Sequence, residues 1–316
     1  MQTISILHPL AALILSPLLL GVINRIKAHF AGRKGQPLLQ TYYDLARLFQ
    51  KTPVYSHTTS WIFRAGPLVG LASAITALLV LPIGGGASFL NFTGDLIFLI
   101  YLLGTMRFFT VLAALDTGSA FEGMGASREV QFSALAEPAL LLSLLAIGEI
   151  GELALAAGMP GPLPRLSLSG IYTSLSFSAW MHSGTVLFLA ASALSIVLLT
   201  ENARIPVDDP NTHLELTMIH EVMVLDHSGP DFGMILYGSA IKLWIFSALL
   251  AGILIPVRSG NFLLDGSATL GGIFLLAIGI GVIESTMARL RLLRVPQLLS
   301  VAGVLAILAI VLVLKG

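Results

Sequence analysis

Residues 235–256 read ILYGSAIKLWIFSALLAGILIP, an apolar run of 22 residues that contains one ionisable side chain, Lys242. A helix rises about 1.5 Å per residue and needs roughly 20 apolar residues to cross the hydrocarbon core of a bilayer. Buried helices of soluble domains have shorter apolar runs than this one. The run therefore predicts a transmembrane helix.

The composition of the whole chain agrees with a membrane protein. Of its 316 residues, 56% are hydrophobic and only 11% are charged, and the mean hydropathy is +0.90. Soluble domains carry about 25% charged residues. The 17 Lys and Arg balance the 17 Asp and Glu, so the net charge does not indicate binding to nucleic acid. The absence of cysteine excludes disulfides, thiolate metal sites and cysteine-ligated iron–sulfur clusters.

Seven further apolar runs of similar length accompany the first. The sequence therefore predicts an all-α, polytopic membrane protein that forms a single transmembrane domain of about eight helices, with amphipathic segments on the cytoplasmic side. The predicted spans are 4–23, 65–83, 95–115, 131–157, 180–200, 235–256, 269–288 and 297–315.

Basic residues indicate the orientation of these spans. Twelve of the Lys and Arg residues lie in alternate connections, whereas Arg165, Arg258 and Lys315 lie on the other side. Short loops rich in Lys and Arg face the cytoplasm, so both termini are expected to face outward. The basic connections are 24–64, 116–130, 201–234 and 289–296.

The connection 24–64 contains patterned apolar residues between Leu38 and Phe49, which predict an amphipathic helix at the membrane surface. Such a helix either anchors the chain at the interface or belongs to a docking platform for a soluble partner. We favour docking, with 24–64, 116–130 and 201–234 as the docking loops.

Arg107, Glu137, Lys242 and Glu284 are ionisable residues that interrupt the spans. Buried charges in a membrane face the bundle interior and find partners. All four lie in the cytoplasmic half, which predicts one polar cluster, and Glu149 continues it outward. The cluster is either a set of ion pairs that fixes helix register or a proton relay.

The connection 201–234 is acidic, against the basic trend, and holds three of the seven histidines. Three interpretations remain open. The residues could bind a divalent metal, although HEVMVLDH at 220–227 does not match the HExxH spacing. They could form an ordinary solvated face. We favour a proton-responsive coupling element, because histidine titrates near neutral pH.

The segment ENARIPVDDPNTHLEL, residues 201–216, resembles a loop of the heel subunit of respiratory complex I, called subunit 1 or H. LDTGSAFEGMGASREVQFSALAEPALLL, residues 115–142, is similar to a second motif of that family, in which an arginine precedes an intramembrane glutamate by nine positions. GRKGQP and ESTMARLR, at 32–37 and 284–291, extend the likeness over essentially the whole chain. The branch it resembles is the membrane anchor of energy-converting group 4 nickel–iron hydrogenases and formate hydrogenlyases.

The resemblance implies a coupling subunit without a catalytic centre, cofactor or metal of its own. Its expected partners are soluble hydrogenase-like large and small subunits, iron–sulfur proteins carrying the clusters and a nickel–iron centre, and antiporter-like membrane subunits. The residues implied in proton relay or coupling are Arg107, Asp116, Arg128, Glu129, Glu137, Glu149, Glu201, Arg204, Asp208, Glu215, Glu221, Lys242 and Glu284. Those implied in docking are Arg25, Arg33, Lys34, Tyr43, Asp44 and Lys51.

Three other functions compete with this one. The chain could be the quinone-site heel subunit of a complex I-like oxidoreductase, but Asn211 and His213 stand where the complex I pattern has glutamates. It could be a self-contained ion transporter, although no inverted repeat is visible, or a structural anchor. In each case we expect a multi-pass protein of a bacterial or archaeal cytoplasmic membrane.

Overall fold

The computed structural model describes residues 6–84, 86–156, 166–208 and 218–315, except for the side chains of 151–156 and Phe262. Over these residues the chain forms ten α-helices and two short 3₁₀ turns, Glu221–Val224 and Leu292–Arg294, and no β-strand. The helices are α1 (Leu7–Phe30), α2 (Gln40–Phe49), α3 (Trp61–Val80), α4 (Asp95–Asp116), α5 (Ala120–Ala156), α6 (Leu168–Ser174), α7 (Phe177–Glu201), α8 (Gly229–Leu254), α9 (Phe262–Thr286) and α10 (Val295–Lys315).

Eight helices, all except α2 and α6, are long and apolar enough to cross a membrane. The predicted fold class, an all-α polytopic membrane protein, is confirmed. The connections between alternate helices meet at one end of the bundle, where Asp116 accepts a hydrogen bond from Ser60, and Leu290 donates one to Pro206. We call this end, which carries residues 31–60, 117–119, 202–208, 218–228 and 287–291, the basic end.

Three spanning helices begin several residues before the predicted apolar runs. Their first turns carry polar residues, which a hydropathy pattern does not detect. On α5, Glu122 and Glu129 are nevertheless buried, because this part of the helix packs against the turn Glu221–Val224. The predicted connection 116–130 is consequently mostly helix, with only 117–119 outside it. The early starts are Ala120 in α5, Gly229 in α8 and Phe262 in α9.

Helix α8 lies at the centre of the bundle, packed against α1, α3, α7 and α9. From Ala240 to Ile253 every residue is buried, and a helix that is apolar on all sides belongs inside a bundle. Trp244 is fully buried and donates a hydrogen bond from Nε1 to His8 Nε2 over 3.3 Å. This central position carries Lys242 into the protein interior.

Helix α2 packs against α1 and α8 at the basic end. Its Tyr42 hydroxyl donates to the carbonyl of Ile14 in α1. Pro17 has no N–H and so deprives the Leu13 carbonyl of its helical donor. The Tyr237 hydroxyl of α8 donates to that carbonyl over 2.8 Å. The first hydrogen bond joins the amphipathic helix to α1, and the second joins α1 to α8.

Candidate functional site

Arg107 of α4 is the centre of a buried charged group. Its Nη2 donates to both carboxylate oxygens of Glu201 in α7, at 2.9 and 3.0 Å. Its Nη1 donates to Glu137 of α5, and its Nε lies 3.4 Å from Glu129 of the same helix. The planar guanidinium has donors in several directions, so one side chain can hold three carboxylates. Residues far apart in sequence thus meet at one point.

Lys242 and His220 complete this group. Lys242 Nζ of α8 lies 2.7 Å from Glu201, and His220 Nε2 lies 3.2 Å from Glu129. We call these residues the Arg107 cluster: Arg107, Glu129, Glu137, Glu201, His220 and Lys242. Its three carboxylates face two permanent cations, so the cluster is neutral when His220 is protonated and carries one negative charge otherwise. The protonation of His220 therefore sets the net charge of the cluster.

The ionisation of His220 is controlled by its neighbours. Both of its ring nitrogens are buried, and burial alone would lower its pKa. The charge and hydrogen bond of Glu129 outweigh this effect, with Asp208 assisting and Lys242 opposing, so the pKa of His220 is raised above its ordinary value. We infer that His220 is the cluster member whose charge responds to pH, at values above the ordinary pKa of histidine.

Stability is expected to fall as the pH rises above 6.5, the ordinary pKa of histidine. A histidine whose folded-state pKa is raised contributes stability that is fully present below its unfolded value of 6.5 and is lost as pH rises through the folded pKa. His220→Gln should remove this decline, and the exposed His29→Gln should retain it. The thermal midpoint of detergent-solubilised protein measures both. An unchanged slope in His220→Gln would contradict the assignment.

A cavity of about 410 Å³ adjoins the Arg107 cluster on the side of the basic end. Its lining includes the charged residues Arg107, Glu129, Glu201 and Lys242 and the apolar residues Leu225, Phe232, Ile235 and Leu236. The cavity is therefore amphipathic.

Several buried polar atoms on the cavity wall have no hydrogen-bond partner among the described residues: Asn202 Oδ1, Arg204 Nε, His220 Nδ1 and His227 Nδ1. Buried polar atoms of native proteins are normally paired, with ordered water where the protein supplies no partner. His227 stacks on Phe63 with ring centres 3.9 Å apart, and burial lowers its pKa to about 4, so it is neutral at physiological pH. The cavity thus presents both neutral and charged polar groups to a solvent or a ligand.

Glu284 of α9 forms a second buried group. One of its oxygens lies 2.8 Å from Lys27 Nζ in α1, and the other lies 3.3 Å from Arg204 Nη1. We call these three residues the Glu284 triad. The sequence predicted that Glu284 would join Arg107, Glu137 and Lys242, but in the structure it pairs with Lys27 and Arg204 instead. Depth along a helix locates a charge, whereas the rotation of the helix decides which neighbours it meets.

Asp208 and Arg128 position the segment that carries His220. Asp208 accepts hydrogen bonds from the backbone N–H groups of Ile219 and His220, at 3.1 and 3.3 Å, and pairs with Arg289 at 2.8 Å. Arg128 Nη1 donates to the carbonyl of Met218 over 2.9 Å. These contacts hold His220 beside Glu129.

The remaining residues implied in coupling have other positions. Asp116 caps α3, accepting hydrogen bonds from the N–H groups of Ser60 at 2.6 Å and Phe63 at 3.3 Å. Glu149 lies three turns beyond Glu137 on α5 and is half-buried, and Glu221 lines the cavity. Glu215, like His213, falls outside the described residues.

Five of the six residues predicted to dock a soluble arm lie on the basic end, and the sixth, Arg25, lies near the adjoining end of α1. Arg33, Lys34, Tyr43 and Lys51 are exposed. Arg25 Nη1 donates to the carbonyl of Lys34 over 2.6 Å, and Asp44 accepts a hydrogen bond from Gln40 at 2.8 Å. Exposure is compatible with docking, and docking itself stays a prediction.

Three residues of the observed ion pairs were not singled out from the sequence: Lys27, His220 and Arg289. Lys27 and Arg289 were counted as topology signals and as parts of segments that resemble the family, and His220 as one of three loop histidines. The metal interpretation of that loop stays untested, because His213 and Glu215 lie outside the described residues, among which no group of three His, Asp or Glu side chains could hold a metal ion. His220 pairs with Glu129.

The fold and site together define a class: a multi-pass membrane protein with buried ion pairs and an amphipathic cavity at one end. The chain matches the NADH dehydrogenase family over residues 2–314 and belongs to that family, in which it is like subunit 1 or H of complex I. It is 32% identical to formate hydrogenlyase subunit 4 of Escherichia coli (strain K12) over 305 residues, covering 93% of this chain and 94% of that protein.

A second relative, hydrogenase-4 component C of the same organism, is 32% identical over 310 residues, covering 96% of this chain and 93% of that protein. The fold is also similar to that of a chain in the membrane-bound sulfane sulfur reductase, an archaeal respiratory membrane complex, with a TM-score of 0.75, 22% identity and 98% of each chain covered. The chain is therefore a membrane subunit of a complex I-like complex, and it has partner subunits.

Proposed function

We propose that this protein is the coupling subunit of an energy-converting hydrogenase-type complex. It docks a soluble arm that carries iron–sulfur clusters and a nickel–iron centre, and it links the redox chemistry of that arm to ion translocation through antiporter-like subunits. The names of the two relatives, a formate hydrogenlyase subunit and a hydrogenase component, support the hydrogenase branch. We assign the basic end to the cytoplasm, because the predicted connections 24–64, 116–130, 201–234 and 289–296, which meet there, carry twelve of the 17 Lys and Arg residues. Both termini then face outward, in a bacterial or archaeal cytoplasmic membrane.

The observation that carries the proposal is the Arg107 cluster together with its cavity. Four spanning helices place charges in contact with one another, and the cavity joins these charges to the basic end. Ion pairs that only fix helix register would not need a cavity or unpartnered polar atoms on its wall. A path for protons needs both, because protons move along hydrogen-bonded groups and water.

The proposed mechanism is a redistribution of charge. An electron that arrives in the soluble arm near the basic end favours proton uptake by His220, and this neutralises the Arg107 cluster. The altered balance of attraction on Arg107 and Lys242 then changes how strongly Glu201 and Glu137 are held. Moving one charge against 100 mV needs about 2.3 kcal/mol. A pKa change of one unit corresponds to about 1.36 kcal/mol, so a redistribution of two units suffices.

Glu201→Gln is expected to abolish ion translocation while electron transfer continues, because Glu201 is the carboxylate that joins Arg107 to Lys242. The measurement is the number of ions moved per electron pair by the whole complex in sealed vesicles. Ser143→Ala is the matched control, since the Ser143 hydroxyl donates only to its own helix, at Ala139. Coupled transport at the wild-type ratio in Glu201→Gln would refute the proposal.

A second candidate function, the quinone-site subunit of a complex I-like oxidoreductase, is favoured by the amphipathic cavity. Its apolar lining residues suit an isoprenoid chain, and its charged lining residues suit a quinone head. Purification of the complex from mildly solubilised membranes distinguishes the two candidates. Nickel near one per complex supports the hydrogenase function, whereas extracted quinone without nickel supports the alternative. Recovery of this chain alone would contradict both.

A further inference from the structure

One carboxylate of the Arg107 cluster faces out of the bundle. The side chain of Glu137 is 42% exposed, whereas those of Glu129 and Glu201 are 6% and 4% exposed. Glu137 lies in a groove of about 790 Å³ between α4 and α5. A methyl group added at Gly104 would lie 3.6 Å from Glu137 Oε1, so the two residues are neighbours. Gly104 is near the middle of α4. The exposed carboxylate is therefore at the depth of the hydrocarbon core.

The same groove contains a second acceptor. Pro138 has no N–H, so the carbonyl of Ala134, four residues earlier on α5, loses its helical donor. Ala134 and Pro138 both line the groove and are exposed. At membrane depth a polar group without a donor costs several kcal/mol, and acyl chains supply no donor. Lipid tails are therefore an unsuitable occupant.

A second copy of this chain is also unsuitable. A two-fold axis at the groove would place one Glu137 opposite the other, because such an interface pairs the same surface with itself. The described residues of a second copy also offer no accessible cation that could pair with Glu137. Among the described residues at this depth the cations are Arg107 and Lys242, whose side chains are only 9% and 10% exposed.

We propose that the groove between α4 and α5 is the seat of a transmembrane helix from a different subunit, and that this helix brings a lysine or arginine to Glu137. The negative charge of Glu137 favours a cation, because its partner Arg107 also pairs with Glu129 and Glu201. The surrounding wall suits a helix, because Tyr101 and Phe108 present large exposed side chains, 72% and 58%, beside the polar centre. The interface deepens the proposed function by naming where a membrane neighbour binds.

Ala134→Phe tests whether a helix of another subunit binds in the groove between α4 and α5. Ala134 is exposed, so phenylalanine fills the groove without entering the bundle. The matched control is Ala72→Phe, an exposed alanine of α3 outside the groove. The whole complex is isolated through a tag on this chain, and its subunits are quantified. We expect Ala134→Phe to lose one membrane subunit at least tenfold and keep the soluble subunits, and Ala72→Phe to lose neither. Retention of every membrane subunit, or equal loss in the control, overturns the proposal.

Cross-linking tests the proposed interface even if the Ala134→Phe protein fails to accumulate in the membrane. The chain has no cysteine, so Tyr101→Cys gives a unique handle for a photoreactive maleimide, and Val304→Cys on the exposed face of α10 is its control. We expect the first position alone to cross-link a different membrane subunit, at a peptide of that subunit containing lysine or arginine. Adducts with lipid only, or with this chain, overturn the proposal. If the seat is confirmed while the Glu201→Gln complex still pumps ions, the interface stands and the proposed function fails.

Discussion

Replacing Arg107 by methionine is expected to lower the free energy of unfolding by at least about 3 kcal/mol. Removal of one partner of a buried ion pair typically costs about 3–5 kcal/mol, because the other charge is left buried without compensation. Arg107 faces three carboxylates, those of Glu129, Glu137 and Glu201. Without the arginine, only Lys242 and His220 remain to balance them, so the effect belongs at the upper end of this range.

The measurement is unfolding in mixed micelles, followed by circular dichroism. Arg291→Met is the matched control, since Arg291 is exposed and its loss should change stability by less than about 0.5 kcal/mol. Arg107→Lys should recover part of the stability, because it keeps the charge but not the planar arrangement of donors. If Arg107→Met were as stable as the control, the three contacts would not contribute to folding.

Glu284→Gln is expected to cost about 3 kcal/mol or more. The Glu284 side chain is completely buried and compensates both Lys27 and Arg204. Glutamine has nearly the same shape, so the loss reflects charge rather than packing. Of the two cations, Lys27 is 22% exposed and can reach water, whereas Arg204 at 8% cannot move out as readily. The stranded guanidinium should therefore account for most of the cost.

A double-mutant cycle with Lys27→Met separates the two cations. In the Glu284→Gln background, Lys27→Met should be nearly neutral or stabilising, because it removes a cation that has lost its counter-charge. In the wild-type background it should destabilise. The same cycle on the exposed Lys315 should show no coupling. Strict additivity at Glu284 and Lys27 would mean that their 2.8 Å contact carries no energy.

The sequence located the intramembrane charges but not their partners. The positions of Arg107, Glu137 and Lys242 along their helices predicted a meeting in one half of the membrane, and the observed contacts bring all three into the Arg107 cluster. Glu284 lies at a comparable depth yet joins a separate triad. Depth follows from residue number and helical rise. The direction in which a charged side chain faces depends on how its helix is rotated against its neighbours. The local sequence of one helix does not determine that rotation.

His220 shows the same limit for loop residues. Its sequence context indicated a titratable element, but three interpretations remained open. Asp208 and Arg128 both contact the segment Met218–His220, which lies about ten residues from Asp208 and ninety from Arg128. These contacts place the imidazole ring of His220 against Glu129. No spacing rule predicts such contacts, because the backbone between them follows no regular period.

By itself the sequence determined the all-α class, the eight spanning helices and the depth of the charges within the predicted spans, because apolar length and helical rise are local properties. Only the tertiary structure decided the division into the Arg107 cluster and the Glu284 triad, the amphipathic cavity, and the outward exposure of Glu137. Each of these depends on the packing of helices distant in sequence. Packing fixes their rotation through the summed fit of many side chains, and no single segment contains that information.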